Sequence, residues 1–123
     1  MQTYRGIVRS KNRETVVLCQ KVARQIGLSI NIEPEVADFL LDLQIDDYQV
    51  AIFDFTQIEQ GCLQWVKLIR CLRPKLPLIV LCDEIDRETE SRMYEEKIFY
   101  LGLRPLDSEV FRDVITASMK YAR

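Results

Sequence analysis

Short apolar stretches alternate along the whole chain with stretches of helical periodicity. Strands are predicted at about Thr3–Arg9, Leu28–Ile32, Gln49–Phe53, Leu78–Leu81 and Ile98–Leu103. Helices are predicted at about Asn12–Ile26, Pro34–Leu43 and Glu59–Leu72, within Asp83–Lys97, and after a cap at Asp107 or Ser108. Strictly alternating strands and helices are typical of βαβ units built around a parallel sheet. The pattern therefore predicts an α/β fold.

The first helix has the clearest period of the five. One face carries residues at i, i+3, i+4, i+7 and i+11, namely Thr15, Leu18, Cys19, Val22 and Ile26. Gly27 is placed to end this helix. An alternative first strand at Thr15–Cys19 leaves too short a connection to Leu28 for a crossover helix, and the first interpretation is therefore preferred.

The third and fourth strands are almost wholly apolar, as strands covered on both faces of a sheet should be. The last helix has a regular apolar stripe formed by Val110, Phe111, Val114, Ile115, Ser118 and Met119. In contrast, Asp83–Lys97 is rich in charge, and we expect a short and loosely packed helix there.

The bulk properties of the chain fit one intracellular domain. The chain has 123 residues and no repeat, linker or low-complexity tract, so residues 1–123 are expected to form a single domain. A net charge of −2 gives no general attraction to nucleic acid or to anionic lipid. No apolar run reaches the ~20 residues that span a bilayer, and the N-terminus has no signal-peptide pattern. We expect a soluble, cytoplasmic protein.

The four cysteines and the absence of histidine exclude several kinds of site. Cys19, Cys62, Cys71 and Cys82 form no C-x-x-C pair, so a zinc site is not expected, and we interpret all four as buried small apolar residues. Without histidine the chain has neither a Ser-His-Asp triad nor a phosphohistidine.

Candidate chemistry is expected where the strands of a parallel sheet end, because ligands of open α/β sheets bind at the carboxyl edge. The residues that follow the strands there are Arg9-Ser10-Lys11, Asp54, Cys82-Asp83-Glu84 and Arg104-Pro105.

These residues, in this order, resemble a response-regulator receiver domain (CheY-like) of two-component signal transduction. The features that match are five βα units, the strand Val50-Ala-Ile-Phe-Asp54, the helical segment Trp65–Arg70, the following segment Leu76–Leu81 and the pair Arg104-Pro105. The resemblance covers nearly the whole chain. It implies a (βα)5 flavodoxin-like, doubly wound parallel sheet with strand order 2-1-3-4-5.

The resemblance also assigns positions in a phosphorylation pocket, and this sequence departs from most of them. Asp54 occupies the phosphoacceptor position. Ser10 and Lys11 stand where a pair of acids normally binds magnesium. Cys82 and Arg104 stand at the phosphate-contact positions, in place of a Ser or Thr and of a lysine. The segment Phe55–Gly61 lacks the expected proline, and Leu101, beside Tyr100, takes the place of an aromatic switch residue.

The departures remove the chemistry that magnesium needs. The ion prefers oxygen ligands that include carboxylates, whereas Asp54, Lys11 and Arg104 sum to a charge of about +1. We therefore predict no resident metal, weak or no Mg²⁺ binding, and Lys11 close enough to Asp54 to replace the ion. The alternatives are a solvated Lys11, a Cys82 that is merely buried, and an Arg104 paired with Asp83 or Asp107.

The function expected from the resemblance is that of a pseudo-receiver, a regulatory protein–protein interaction module with impaired phosphorylation and no enzymatic activity. Its partners are expected to be a histidine kinase or another signalling protein, or a second copy bound through the face formed by the fourth helix, fifth strand and fifth helix. The alternative function is a small flavodoxin-like domain or enzyme that binds an anion or nucleotide at the basic loop Arg9–Arg13, although that loop has no glycine.

Overall fold

The computed structural model describes residues 4–55 and 61–121, and strands and helices alternate throughout them. The strands are β1 (Tyr4–Arg9), β2 (Leu28–Glu33), β3 (Val50–Asp54), β4 (Leu78–Cys82) and β5 (Tyr100–Leu103). The helices are α1 (Arg13–Ile26), α2 (Val36–Ile45), α3 (Cys62–Leu72), α4 (Arg87–Glu95) and α5 (Ser108–Tyr121). The predicted α/β fold is confirmed.

The strands form one parallel sheet in the order β2-β1-β3-β4-β5, which confirms the predicted strand order. The order reverses between β1 and β3, so the carboxyl ends of these two neighbouring strands flank the topological switch point. In the ladder, Arg9 lies opposite Phe53, and Asp54 lies opposite Leu81 of β4. The register therefore brings the ends of β1, β3 and β4 to one edge.

The core has two layers because successive side chains of a strand point to opposite faces of the sheet. On one face, Phe53 and Val80 pack in a cluster that includes residues of α2, α3 and α4. On the other face, Ile52 and Leu81 pack with residues of α1 and α5. All residues of β3 and β4 are buried, as their apolar sequences predict.

Local capping interactions start α1 and α5 and end α1. The Asn12 side chain accepts a hydrogen bond from the Thr15 amide at the start of α1. Gly27 ends α1 with a φ of 71°, a left-handed conformation that glycine adopts without strain, as predicted. Asp107, rather than Ser108, caps α5, because its side-chain carboxylate accepts hydrogen bonds from the amides of Glu109 and Val110.

Some predicted boundaries and burials differ from the structure. β5 begins at Tyr100, where its pairing with Ile79 of β4 starts, and not at Ile98. α2 begins at Val36 and continues to Ile45, past the predicted end at Leu43. The prediction that every cysteine is buried is wrong for Cys71, which lies on the exposed side of α3.

Other predictions concern α3, α4 and membrane crossing. The predicted start of α3 at Glu59 lies outside the described residues, as does most of the segment between Phe55 and Gly61. α4 is short, and Met93 is its only buried residue, in agreement with a loosely packed helix. Among residues 4–55 and 61–121, no helix is long and apolar enough to cross a membrane.

Candidate functional site

Asp54 lies at the centre of a polar cluster at the carboxyl edge of the sheet. It is the last residue of β3, and only 2% of its surface is exposed. Burial of a charged carboxylate is unfavourable unless other groups pair with it and donate hydrogen bonds. The residues around Asp54 supply both.

Ser10 occupies one side of the Asp54 carboxylate. Its hydroxyl donates to Asp54 Oδ2 at 2.6 Å, and its Oγ accepts the Asn12 amide at 3.0 Å. The second bond ties the Ser10 side chain to the turn that starts α1. Ser10 is itself buried, so this contact lies inside the protein.

Arg104 occupies the other side of the carboxylate and joins four parts of the chain. Its Nη1 donates to Asp54 Oδ1 and, at 3.1 Å, to the Thr15 hydroxyl of α1. Its Nε donates to Asp83 Oδ1 at 2.8 Å, and its Nη2 donates to the Phe55 carbonyl at 3.0 Å. Burial opposes the charge, but the hydrogen bonds with Asp83 and Asp54 outweigh it and raise the pKa of Arg104. The guanidinium is therefore a permanent cation of the site.

Arg9, which the sequence analysis placed at this edge without a role in the pocket, is a member of this cluster. Its side chain is buried, its Nη1 donates to the main-chain carbonyl of Asp54 at 2.8 Å, and its Nε donates to the Pro34 carbonyl at 3.1 Å. The guanidinium lies over the Phe53 ring, 5.6 Å from its centroid. A signal was available in the sequence, because Arg9 precedes Ser10 at the end of the first strand.

The prediction that Lys11 reaches Asp54 is wrong. The Lys11 ammonium lies 3.4 Å from a carboxylate oxygen of Glu35, and both side chains are more than half exposed. Ser10 turns into the protein, whereas its neighbour Lys11 turns outward to solvent. The alternative of a solvated Lys11 therefore holds, and Ser10 and Arg104 are the residues that contact the Asp54 carboxylate.

The remaining predicted positions lie around this cluster. Cys82 is fully buried at the end of β4, and burial raises the pKa of its thiol to about 11, so the thiol stays protonated at neutral pH. Leu101 is buried in β5, and Tyr100 is partly buried. Beyond Arg104 an open cleft of about 420 Å³ is lined by residues of α1 and of the segment that leads to α5.

The arrangement does not fit a magnesium ion. Both Asp54 oxygens accept hydrogen bonds from Ser10 and Arg104, and Asp83 pairs with the same guanidinium. A cation at this place would face the Arg104 charge at close range. Within the part of the chain that the structure describes, no three or more Cys, Asp or Glu side chains are grouped so that they could hold a metal.

Two of the three cations in the basic loop Arg9–Arg13 are already engaged by protein groups. Arg9 points inward to two carbonyls, and Lys11 pairs with Glu35. The two cations therefore do not converge on a common point, and the alternative of an anion- or nucleotide-binding loop gains no support from this geometry.

Comparison with known proteins places the fold but not the pocket chemistry. No model of a known protein family matches the sequence, and no curated protein sequence matches it significantly. Solved structures do match. A CheY-like response regulator receiver domain protein from Methanospirillum hungatei is 12% identical, with a TM-score of 0.87 over 98% of this chain and 97% of that one.

Two further solved structures agree. A response regulator from Thermotoga maritima is 13% identical, with a TM-score of 0.85 over 97% of this chain and 99% of that one. An orphan response regulator from H. pylori is 16% identical, with a TM-score of 0.83 over 94% of this chain and 96% of that one. At these identities the similarity shows the fold, and this chain has the fold of a receiver domain.

Proposed function

We propose that this chain is a pseudo-receiver: a signalling module that works through contacts with other proteins and whose acceptor-position residue, Asp54, is not phosphorylated. The receiver fold supports the signalling role. The proposal on Asp54 rests on one observation, namely that both oxygens of its buried carboxylate already accept hydrogen bonds from Ser10 and Arg104.

A phosphoryl transfer to Asp54 would have to break these contacts and proceed without its usual metal. Phosphoryl transfer depends on positive groups that neutralise the negative charge that develops on the phosphoryl oxygens. A metal ion is generally one of these groups and binds the phosphoryl oxygens directly. Here Arg104 supplies positive charge, but it is divided between Asp54 and Asp83. The Asp54 oxygen is thus neither free to attack nor accompanied by a metal ligand set.

The test is intact-mass spectrometry after incubation with acetyl phosphate and Mg²⁺. We expect no species heavier by one phosphoryl group. The variant Ser10→Asp with Arg104→Lys serves as the matched comparison, because it supplies the acid and the lysine that the receiver pattern has at these positions. An adduct on the wild-type protein that disappears in Asp54→Asn would refute the proposal.

Magnesium binding is tested separately by isothermal titration calorimetry. Because the donor set does not fit the ion, we expect no saturable heat for the wild-type protein up to millimolar Mg²⁺. A saturable isotherm that is lost in Asp54→Asn would show that the ion displaces Arg104 and would contradict the proposed state of the pocket.

The contact surface that we propose for signalling partners consists of α4, β5 and α5. β5 is an edge strand, and large apolar side chains are exposed on all three elements at Tyr94, Leu103 and Val110. A histidine kinase, another signalling protein or a second copy would bind there. Sedimentation velocity over a range of concentrations tests the second copy, which we expect Leu103→Ser with Val110→Ser to weaken.

A further inference from the structure

The outer face of α2 exposes a row of apolar side chains. Ala37, Leu41 and Ile45 follow each other at intervals of four residues, so they lie along one side of the helix over about 12 Å. Leu41 is 53% exposed and Ile45 is 67% exposed. Among the described residues, no other helix exposes two large hydrophobic side chains one turn apart.

A row of acids runs beside the apolar row. Asp38, Asp42 and Asp46 each follow one of the apolar residues, so the two rows are parallel on the helix surface. The surrounding sequence supplies no local compensation, because no lysine or arginine occurs between Arg24 and Lys67. The outer side of α2 is therefore both apolar and strongly negative.

Cations from other elements compensate the negative charge at the margins of this face. Arg5 lies 3.8 Å from Asp46, Arg73 lies 3.2 Å from Asp47, and Lys11 pairs with Glu35. Arg73 also donates to carbonyl groups of Leu43 and Asp46 at the end of the helix. These cations lie near the two ends of α2.

The middle of the acid row has a different environment. Glu33, at the end of the edge strand β2, shares a hydrogen bond with Asp42, and this bond, burial and the charges of Asp42 and Asp38 raise the pKa of Glu33 to about 7. The influence of the Asp42 and Asp38 charges on Glu33 shows that these three carboxyl groups lie close together, which is a local excess of negative charge. A cation brought by another molecule would relieve that excess.

We propose that the outer face of α2 docks an amphipathic segment of a partner protein, in which aliphatic side chains lie beside a row of lysines or arginines. The aliphatic side chains would cover Leu41 and Ile45, and the cations would pair with Asp38 and Asp42. This surface is separate from the α4–β5–α5 surface and does not depend on the state of Asp54.

Charge decides between this occupant and others. A second copy that docked the same face would bring acid rows together, which is unfavourable for like charges at short distance. Nucleic acid and anionic lipid would be repelled for the same reason. A small cation would not explain the exposed Leu41 and Ile45, which lose contact with water only when an apolar surface covers them.

The test uses a fluorescein-labelled amphipathic peptide of leucines and lysines, with leucines at helical spacing, and measures fluorescence anisotropy with the full chain. We expect Leu41→Ser with Ile45→Ser to weaken binding at least about tenfold, since both substitutions remove the apolar burial that the contact provides. Asp38→Asn with Asp42→Asn should weaken binding about three- to tenfold at low salt and have little effect at high salt.

Matched controls lie outside both proposed contact surfaces: Glu14 and Glu84 are exposed acids, and Val17 of α1 is an exposed apolar residue. Glu14→Gln with Glu84→Gln, and Val17→Ser, should leave the affinity of the peptide within about twofold, the level expected for residues outside the contact. A peptide with glutamates in place of lysines should not bind. Asp42 is partly buried and the other substituted side chains are exposed, and urea unfolding midpoints should confirm that each variant is folded.

Three results would overturn the proposal. The first is no binding of the leucine–lysine peptide to the wild-type protein. The second is equal weakening by the α2 variants and by the control variants, which would show non-specific attraction of charge. The third is self-association in sedimentation velocity that Leu41→Ser with Ile45→Ser abolishes, because the face would then dock a second copy. None of these results bears on the phosphorylation test.

Discussion

At the scale of single residues, Asp54 is a buried residue whose partners come from two other parts of the chain, the end of β1 and the end of β5. Ser10 follows β1, Arg104 follows β5, and Arg9 at the end of β1 donates to its carbonyl group. In a pocket made only of acids, removal of one carboxylate would relieve repulsion. In this pocket, removal of the Asp54 carboxylate leaves Arg104 with Asp83 as its remaining acid partner. The sign of the change in the free energy of unfolding therefore distinguishes the two kinds of pocket.

We therefore expect Asp54→Ala to lower the free energy of unfolding by about 1–3 kcal/mol, the range for breaking a partly buried charged network. The measurement is the urea unfolding midpoint at unchanged slope. Asp83→Ala is the control and should cost less, because Asp83 is considerably more exposed than Asp54. A neutral or stabilising effect of Asp54→Ala would contradict the Ser10–Asp54–Arg104 arrangement.

The cysteines differ in accessibility, which predicts their reactivity. Cys71 is exposed, whereas Cys19, Cys62 and Cys82 are buried. Burial raises the pKa of Cys19 to about 12 and that of Cys82 to about 11, so neither forms the reactive thiolate at neutral pH.

Titration of the native protein with an aromatic disulfide reagent should therefore show one fast thiol. Cys71→Ser should remove the fast phase, and Cys62→Ser should leave it unchanged. Fast reaction of more than one thiol in the native protein would contradict the burial of the other three.

At the scale of secondary-structure elements, the contact between β2 and α2 makes the stability depend on pH. The Glu33 pKa is raised from its ordinary value of 4.5 to about 7, mainly through its hydrogen bond with Asp42. A group with a raised pKa in the folded state stabilises the fold fully below its unfolded pKa. That contribution is lost as the pH rises from about 4.5 through about 7.

Glu33→Gln should remove this dependence. The difference in free energy of unfolding between the variant and the wild-type protein should favour the variant more at about pH 8 than at about pH 5. At the higher pH the wild-type Glu33 is ionised and is repelled by Asp42 and Asp38, whereas the glutamine of the variant has no charge. Glu33 is partly exposed, so solvent screens its interactions and the gain should be small; urea midpoints at the two pH values measure it. The chain has no histidine to titrate in this window. An equal difference between variant and wild type at both pH values would contradict the prediction.

At the scale of the whole molecule, both layers of the core pack against the same strands. β3 directs Phe53 to the layer of α2, α3 and α4 and Ile52 to the layer of α1 and α5. Because neither layer can lose its strands without exposing the other, we expect the domain to unfold in one step.

The single tryptophan makes this prediction testable. Trp65 packs against Phe53 with ring centroids 5.7 Å apart, so its fluorescence reports the first layer. Far-ultraviolet circular dichroism reports the helices of both layers. The two urea unfolding curves should coincide, and distinct midpoints would show that the layers unfold separately.

The fold follows from information that is local in the chain. The apolar strands that lead to Asp54 and Cys82, the period of α1 and the stop at Gly27 each depend on neighbouring residues, and all three predictions are confirmed. Hydrophobic periodicity states which side of an element must be buried, and the alternation of elements then favours a parallel sheet. The strand order followed from the resemblance to receiver domains.

The contacts of the site depended on the tertiary structure. Ser10 and Asp54 are 44 positions apart in the chain, and Arg104 and Asp54 are 50 positions apart. Whether Ser10 or Lys11 faces Asp54 is decided by the direction in which the chain leaves β1, and a shift of one residue reverses the outcome. Composition and spacing brought the right segments to one edge of the sheet. Only the packed register decided that Ser10, Arg104 and Arg9 point inward while Lys11 points to Glu35.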